Sequence, residues 1–251
     1  METDEMKREG QVKKIITSIL ILFSVAVGLW QLSKARSYQL FGDIISEVRT
    51  SEKVIALTFD DGPWNQENTA RVLATLNEYG VKATFYLNGR GIQSNFQAAK
   101  HIVLDGHEVG NHGYTHNRLV LKSISEIEQE IESTNDLIRS IGYSGEITFR
   151  PPYGSKLFTL PYYLNQNGIT TVTWNIEPET YPDIAKSPSS IAKHINEQAA
   201  PGSIILLHVF GSNNEVSRQS LPLVIEGLIE QGYQFVTVSE LLKLGIDHWD
   251  V

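Results

Sequence analysis

Residues 54–63 read VIALTFDDGP, an apolar and largely β-branched run that ends in two aspartates and a Gly-Pro turn. The apolar run predicts a buried strand, and Gly-Pro predicts the turn that ends it. Six further short apolar runs follow along the chain, separated by longer segments whose apolar residues recur at helical spacing. This alternation predicts an α/β fold built from β/α units.

The predicted elements alternate from residue 54 almost to the end of the chain. The predicted strands lie at 54–59, 83–87, 108–112, 147–150, 170–174, 203–208 and 234–238. The predicted helices lie at 68–79, 95–105, 123–141, 158–167, 190–199, 221–231 and 239–244. Periodicity alone leaves open whether such units form an open, doubly wound sheet or a closed barrel.

Polar residues at the strand ends favour the barrel. They stand at or just beyond the carboxyl ends of the strands: Asp60, Asp61, Asn88, His112, Arg150, Asn175 and His208. In a closed barrel these ends converge on one face, where active sites of this architecture lie, whereas an open sheet would spread them along an edge. Seven strands are few for this architecture, so we predict an incomplete or distorted, TIM-like (β/α) barrel.

Composition limits the classes of function. The 251 residues include no cysteine, so neither a disulfide framework nor a thiolate ligand or nucleophile is available. A hydrophobic content of 41% with 20% charged residues is typical of a globular protein. Residues 37–251 hold 15 basic and 25 acidic side chains, a net charge of −10. That charge repels phosphate backbones, so we expect no nucleic-acid partner and a neutral substrate.

Residues 15–32 contain no charged side chain and are flanked by basic residues. The length approaches that of a membrane span, and the larger basic count on the N-terminal side places that side in the cytoplasm. We predict a cytoplasmic tail at 1–14, a single transmembrane anchor at 15–32, a linker at 33–52 and an extracytoplasmic domain at 53–251. The alternative is a signal peptide cleaved near residues 26–28, which would release a secreted protein, but the apolar run continues past that site.

Two motifs supply groups that bind metals. Asp60 and Asp61 are adjacent, so on an extended backbone their carboxylates point in opposite directions and can do different work. His112 and His116 are four residues apart, which brings two imidazoles to one side of a helical turn. Each motif alone also fits an aspartate-rich turn or solvated histidines. Together, Asp61, His112 and His116 form a His₂-carboxylate set, a pattern of catalytic zinc sites.

Two further motifs end strands on the same face. Arg150 opens the sequence RPPYG, and its permanent positive charge suits a carboxylate such as Asp60, although a solvated arginine on a turn is the alternative. His208 ends the apolar run at 204–208. It is either a structural histidine whose hydrogen bonds are satisfied in the core or at its rim, or a general acid.

The order and spacing of residues 58–63, 112–116, 150–154 and 206–208 resemble carbohydrate esterase family 4, the NodB-homology polysaccharide deacetylases. The resemblance extends from residue 53 to about residue 244. It implies a distorted (β/α)₇ barrel and a divalent metal ion, zinc or a similar ion. The residues that the resemblance assigns to the metal are Asp61, His112 and His116.

The same resemblance assigns catalytic and binding roles to other residues. Asp60 would be the base and His208 the acid, while Arg150 would tune the base. The backbone amide of Tyr153 would help to hold the oxyanion. Leu206 would line the acetyl pocket, and Trp174 would lie near it.

The sequence departs from the family pattern in three places. An Asp-Trp pair whose aspartate orients the catalytic histidine is common in the family's fourth motif, but this chain has Thr180-Tyr181 there. Asp183 or Glu179 is the candidate replacement, and the sequence does not distinguish between them. Gly113 and Val209 stand where the family commonly has Ser or Thr and Asp, respectively.

The sequence therefore predicts a membrane-anchored, metal-dependent deacetylase that removes N-acetyl groups from an extracytoplasmic N-acetylglucosamine polymer. Cell-wall peptidoglycan is the preferred substrate, with exopolysaccharide or chitooligosaccharide as alternatives. The rival class is a non-catalytic, membrane-anchored glycan-binding protein on the same barrel, suggested by four aromatic residues on predicted loops: Trp64, Tyr114, Tyr153 and Tyr181.

Overall fold

The computed structural model describes residues 2–245, with side chains from residue 10 onward. Residue 1 of the predicted tail and residues 246–251 of the predicted domain lie outside the described residues. The chain begins with helix α1, Glu2–Ser33. Within this described part, the segment Gly10–Ser33 of α1 is the one candidate by length and composition for crossing a membrane, and its apolar window is not buried against the protein.

The remaining elements follow in the predicted alternation. The strands are β1 Ile44–Ile45, β2 Val54–Asp60, β3 Thr84–Leu87, β4 Glu108–Asn111, β5 Thr171–Val172, β6 Ile204–His208 and β7 Gln234–Phe235. The helices are α2 Gln66–Glu78, α3 Gly89–Ser94, α4 Phe96–Leu104, α5 Ile124–Ser140, α6 Thr159–Gln166, α7 Pro188–Gln198, α8 Glu215–Glu230 and α9 Val238–Lys243. Short 3₁₀ turns lie at Pro152–Gly154, Pro178–Thr180 and Ser212–Asn214.

The strands pair in parallel. The main sheet has the order β4-β3-β2-β6, β7 pairs with the start of β2, and β1 pairs with β5. Single parallel bridges continue the pairing, because Phe149 bridges to both Asn111 and Thr171, and Ile176 bridges to Ile205. The carboxyl ends of β2, β4 and β6 therefore lie on one side of the sheet, as the α/β prediction requires.

Side-chain alternation along β2 determines where its aspartate points. Ile55, Leu57 and Phe59 pack into the larger hydrophobic core, which includes residues of the surrounding helices. Val54 and Ala56 pack into a separate core on the other face of the strand. Because successive side chains alternate across a strand, the side chain of Asp60 belongs to this second face.

Helix α5 illustrates how the helices are held against the sheet. Ser123 and Glu126 form a capping box at its start, and Ile127, Ile131 and Ile138 are buried. Each buried isoleucine contributes about 1.5–3 kcal/mol of transfer free energy. Ile124, which the sequence places on the same apolar face, is exposed in the first turn.

Three segments differ from the sequence-based expectation. Residues 147–150 form no regular strand; only Phe149 bridges to neighbours, and the following Pro151 and Pro152 lack the N–H groups that would extend the pairing. Residues 33–52, predicted as a linker, include strand β1, and the Val48 amide donates to the Gly202 carbonyl at 2.9 Å. Helix α3 was not expected, because it has only six residues and two of them are glycines, which disfavour helices.

Candidate active site

The carboxyl ends of β2 and β6 and the loop after β4 surround a cavity of about 450 Å³. Eight of the nine predicted site residues line it: Asp60, Asp61, His112, His116, Tyr153, Trp174, Leu206 and His208. The ninth, Arg150, is fully buried and contacts Asp60. The fold thus brings together residues that are up to 148 positions apart in the chain.

Asp61, His112 and His116 form a cluster suited to a metal ion. They offer one ligand atom each, all within 4.8 Å of one another. Asp61 Oδ1 lies 3.2 Å from His116 Nε2 and 3.8 Å from His112 Nε2. This oxygen is buried without a hydrogen-bond partner in the described structure. A buried, unsatisfied carboxylate oxygen facing two imidazoles is the donor set of a divalent cation site.

The two histidines have the protonation state that metal binding needs. The Nδ1 atom of His112 lies 2.8 Å from the Arg150 carbonyl oxygen, so Nδ1 carries the proton and Nε2 keeps its lone pair toward Asp61. Burial lowers the pKa of His112 more than the neighbouring Asp60 and Asp61 raise it. Burial also lowers the pKa of His116. Both imidazoles are therefore neutral near pH 7 and available as ligands.

The site residues occupy an unusual backbone conformation. Asp61, His116 and Tyr153 have φ angles of 75°, 62° and 60°, in the left-handed region. Only one other described non-glycine residue, Leu121, has a positive φ. Such conformations cost of order 1–3 kcal/mol each and cluster at functional sites. The strain here is concentrated in the loops that carry the candidate metal ligands and the predicted oxyanion-binding amide.

Asp60 is an ionised carboxylate held by Arg150. Arg150 Nη1 donates to Asp60 Oδ1 at 2.6 Å and to Thr58 Oγ1 at 2.8 Å, and Nη2 donates to the Thr173 carbonyl at 2.9 Å. Burial opposes ionisation of Asp60, but the charge and hydrogen bond of Arg150, together with the charge of His208, outweigh it and lower the pKa of the carboxyl. Asp60 Oδ2 lies 3.6 Å from His112 Nε2, so both aspartates face the same imidazole. The expected opposite directions were wrong, because Asp61 leaves the extended backbone at a φ of 75°.

His208 is oriented by Glu179. Glu179 Oε2 lies 2.5 Å from His208 Nδ1, and the same carboxylate accepts the His208 backbone amide at 3.0 Å and the Ser217 hydroxyl. Burial opposes protonation, but the hydrogen bond and charge of Glu179, with Asp60 and Asp61, raise the pKa of His208 to about 9. Asp183 is instead exposed and pairs with Lys186. Of the two candidate replacements, Glu179 occupies the orienting position.

Glu179→Gln should move the high-pH limit of activity to lower pH. The wild-type imidazolium persists up to a pKa of about 9, and loss of the Glu179 charge lowers that value, so His208 loses its proton at a lower pH. The pH dependence of kcat/KM for both proteins measures the shift. Asp183→Asn, at an exposed carboxylate, is the matched control and should leave the profile unchanged. An unchanged profile in Glu179→Gln would exclude Glu179 as the partner of His208.

Glu130 of α5 braces the loop between the two histidines, a role that sequence reasoning missed. Its Oε2 atom accepts the backbone amides of Tyr114 at 2.8 Å and Thr115 at 2.9 Å, and its Oε1 atom accepts the Thr115 hydroxyl at 2.6 Å. Gly113 has a φ of 74°, which favours glycine at that position, and His116 has a φ of 62°. Residues 112–116 therefore form a loop, and the helical turn that the histidine spacing predicted was wrong. A charged residue within an otherwise amphipathic helix gives no sequence signal for this contact.

Glu177 and Arg36 support Trp174 and were also missed. Glu177 Oε2 accepts Trp174 Nε1–H at 2.9 Å and lies 2.5 Å from Arg36 Nη2. Arg36 precedes the predicted domain by many residues, so sequence spacing gave no reason to place it here. Trp174 and Leu206 are both largely buried while still lining the cavity, and their place at an acetyl pocket stays a prediction.

A larger cleft of about 630 Å³ lies beside the loop between the two histidines. Residues of α5 and the loop residues Tyr114 and Thr115 line it. None of the nine predicted site residues lines this cleft, and it holds no cluster of metal ligands among the described residues. We therefore place the candidate active site in the smaller cavity.

Comparison with known proteins agrees with the motif-based expectation. Residues 47–172 match the family model described as polysaccharide deacetylase. A peptidoglycan-N-acetylglucosamine deacetylase of Bacillus cereus is 33% identical over 202 residues, which cover 80% of this chain and 94% of that protein. The peptidoglycan-N-acetylmuramic acid deacetylase PdaC of Bacillus subtilis is 34% identical over 195 residues, 77% of this chain but only 40% of PdaC.

A similar solved structure comes from a protein described as a pseudoenzyme. It is a mutant of BA3943, a carbohydrate esterase family 4 pseudoenzyme from Bacillus anthracis, with restored enzymatic activity. The TM-score is 0.73 at 31% identity, and the match covers 83% of this chain and 74% of the other. A shared fold therefore does not by itself establish catalysis, and the residues of the site have to be considered individually.

Proposed function

The chain belongs to the polysaccharide deacetylase family, hydrolases that act on N-acetyl groups, and from this premise we propose that it deacetylates N-acetylglucosamine residues of an extracytoplasmic polysaccharide. Cell-wall peptidoglycan is the preferred glycan, because the similar proteins of Bacillus cereus and Bacillus subtilis are named for it. The reaction releases acetate and leaves a free glucosamine amine.

Asp60 and His208 line the same cavity, and their pKa values are shifted in opposite directions, which is the main support for the proposal. The lowered pKa of Asp60 leaves its carboxylate ionised near neutral pH, and the raised pKa of His208, about 9, leaves its imidazole protonated there. The cavity therefore holds one group that can accept a proton and one that can donate it. Pairs of titratable groups whose environments separate their pKa values are typical of acid–base catalysis. A glycan-binding surface has no need for such a pair.

The roles of the chain's groups follow from their positions. A divalent ion, we propose Zn²⁺, held by Asp61, His112 and His116 would polarise the amide carbonyl and acidify a water molecule. Asp60 accepts the proton of the attacking water, and Arg150 keeps Asp60 ionised and oriented. His208 donates a proton to the leaving amine. The backbone amide of Tyr153 stabilises the negative charge on the carbonyl oxygen.

The cavity also fits a neutral acetylated sugar. Leu206 and Trp174 offer apolar surface for a methyl group beside the candidate metal ligands. Of the four aromatic residues that suggested the glycan-binding alternative, Tyr153 alone lines this cavity. A non-catalytic glycan-binding protein would also not require the buried Asp60–Arg150 pair or the Glu179–His208 pair.

Acetate release from chitooligosaccharides tests the proposal. We expect the purified full chain to release acetate, to lose activity with a chelator and to recover it when Zn²⁺ is restored. Binding of the oligosaccharide without acetate release at full metal occupancy would instead support the glycan-binding alternative.

We further propose that α1 anchors the chain in the cell membrane as a single span, with residues from 37 onward outside. The apolar length of Gly10–Ser33 supports a span, and the larger number of basic residues before the apolar run, four at 1–14 against two at 33–36, supports this orientation. Protease added to spheroplasts should digest the domain while the membrane is intact. Protection of the domain until lysis would reverse the proposed topology.

A further inference from the structure

The end of helix α1 is fixed to the wall of the catalytic cavity. Lys156 is almost completely buried; its backbone amide donates to the Ser33 carbonyl at 2.9 Å and its Nζ donates to the Ala35 carbonyl. The Thr173 hydroxyl donates to the Arg36 carbonyl at 2.6 Å. Three of the four residues at 33–36 therefore contact the domain directly, and no free linker separates the helix from it.

Two of these residues reach the cavity itself. Lys34 and Arg36 both line it. Arg36 Cζ lies 4.9 Å from the Trp174 ring centroid, and its guanidinium pairs with Glu177, which also holds the indole N–H. An extended chain covers at most about 3.3–3.6 Å per residue, so the cavity wall begins within about 10 Å of the end of α1.

Exposed aromatic residues follow both segments of this junction in the chain, two after Arg36 and two after Lys156. Tyr38, Phe41, Phe158 and Tyr162, which we call the aromatic face, are each between 40% and 56% exposed. The Phe41 and Tyr162 rings pack edge to face at 5.6 Å, and the Tyr162 amide donates to the Phe158 carbonyl one helical turn away. Aromatic side chains are enriched at membrane–water interfaces, where their rings lie at the level of the headgroups.

We propose that the substrate is an N-acetylated glycan linked to a membrane lipid through phosphate. The aromatic face contacts the bilayer, and the catalytic cavity opens at the level of the headgroups. This assignment rests on the proposed deacetylase function and on the anchor. It narrows the proposed wall glycan to the form that is still attached to the membrane.

Two features support a lipid-linked substrate: the short distance from the end of α1 to the cavity wall, and the positive charge on that wall. The headgroup layers add roughly 5–8 Å on each side of a hydrocarbon core of about 30 Å, so a wall that begins within about 10 Å of the helix end lies at their outer edge. A sugar joined to a lipid by phosphate is held at the same height. Arg36 is paired with Glu177, but Lys34 and Arg118 place positive charge on the cavity wall of a domain that is otherwise strongly acidic, which suits a phosphate.

The test compares two substrates and two proteins in the same vesicles. The full chain is reconstituted in phosphatidylcholine vesicles with a chitooligosaccharide, either free in solution or joined through phosphate to a polyprenyl lipid. The second protein carries four Glu-Ala-Ala-Ala-Lys repeats between Leu32 and Ser33. This helical spacer lifts the domain by about 30 Å and leaves residues 33–251 unchanged.

We expect the wild-type chain to use the lipid-linked substrate with a kcat/KM at least about tenfold above that of the free oligosaccharide, because both partners share one surface. The spacer variant should keep its activity on the free oligosaccharide and lose this preference. Equal use of both substrates by the wild type, or an undiminished preference in the spacer variant, would overturn the assignment. Absence of acetate from every combination would overturn the proposed function, and the assignment with it.

A second variant tests the aromatic face without changing the anchor. Phe158→Glu places a charge on that face, and Ile229→Glu is the matched control at an exposed apolar residue of α8, which packs on α2 and α7. We expect Phe158→Glu alone to lower activity on the lipid-linked substrate severalfold, with activity on the free oligosaccharide unchanged in both. Equal effects of the two variants would show that the aromatic face does not rest on lipid.

Discussion

Replacing Asp60 with asparagine is expected to lower kcat by on the order of 10²–10⁴-fold while the metal stays bound. Asparagine keeps the shape of the side chain and an oxygen for Arg150, but it does not accept a proton from water. The lowered pKa of Asp60 indicates that its carboxylate is fully ionised near neutral pH, so the variant removes a base that is already in its active form. Steady-state acetate release and elemental analysis on the same preparation measure the two effects.

Asp61→Asn is the matched contrast, one residue along the chain. Asp61 Oδ1 is the unsatisfied oxygen that faces both histidines, so this variant should bind metal more weakly and partly recover activity when metal is added in excess. Near-normal turnover in Asp60→Asn would show that Asp60 is not the catalytic base. Equal metal loss in both variants would show that the two aspartates do not have separate roles.

Replacing His112 with alanine should lower both metal content and activity more than any change outside the cavity. His112 is buried and its orientation is fixed by the Arg150 carbonyl, so alanine removes an already oriented ligand from a set of three. Loss of a group that only orients a ligand costs about 10–100-fold in metal affinity, and we expect loss of the ligand itself to exceed about 100-fold.

His101→Ala is the matched control for His112→Ala. His101 lies exposed at the end of α4, outside the cavity, and its replacement should leave one divalent ion per chain and normal activity. Full metal occupancy in His112→Ala would remove His112 from the set of ligands.

The site could be predicted because its residues stand where strands end. Asp60, His112 and His208 each follow a buried run, and parallel strands deliver their carboxyl ends to one side of the sheet. The order and spacing of the motifs also identified the family, which the match over residues 47–172 confirms. Closure of the sheet into a (β/α)₇ barrel stays a prediction, supported by the single bridges at Phe149 and Ile176.

Contacts made by irregular segments could not be predicted. The choice between Glu179 and Asp183 depends on a 3₁₀ turn at Pro178–Thr180 that directs one carboxylate inward and leaves the other in solvent. The contact between Arg36 and Glu177 joins residues 141 positions apart. Arg36 follows the apolar helix that the sequence predicts as an anchor separated from the domain by a linker. No local pattern encodes either contact, because both depend on the path of the chain outside helices and strands.

The most direct test of the account is a titration of the metal-free full chain with Zn²⁺ while acetate release from a chitooligosaccharide is recorded. We predict that activity rises with bound metal and levels off at one ion per chain, and that Asp60→Asn binds the same ion with almost no acetate release. Acetate release without metal, or no release by the wild-type chain with its site filled, would contradict a deacetylase built on Asp60, His208 and the Asp61–His112–His116 cluster.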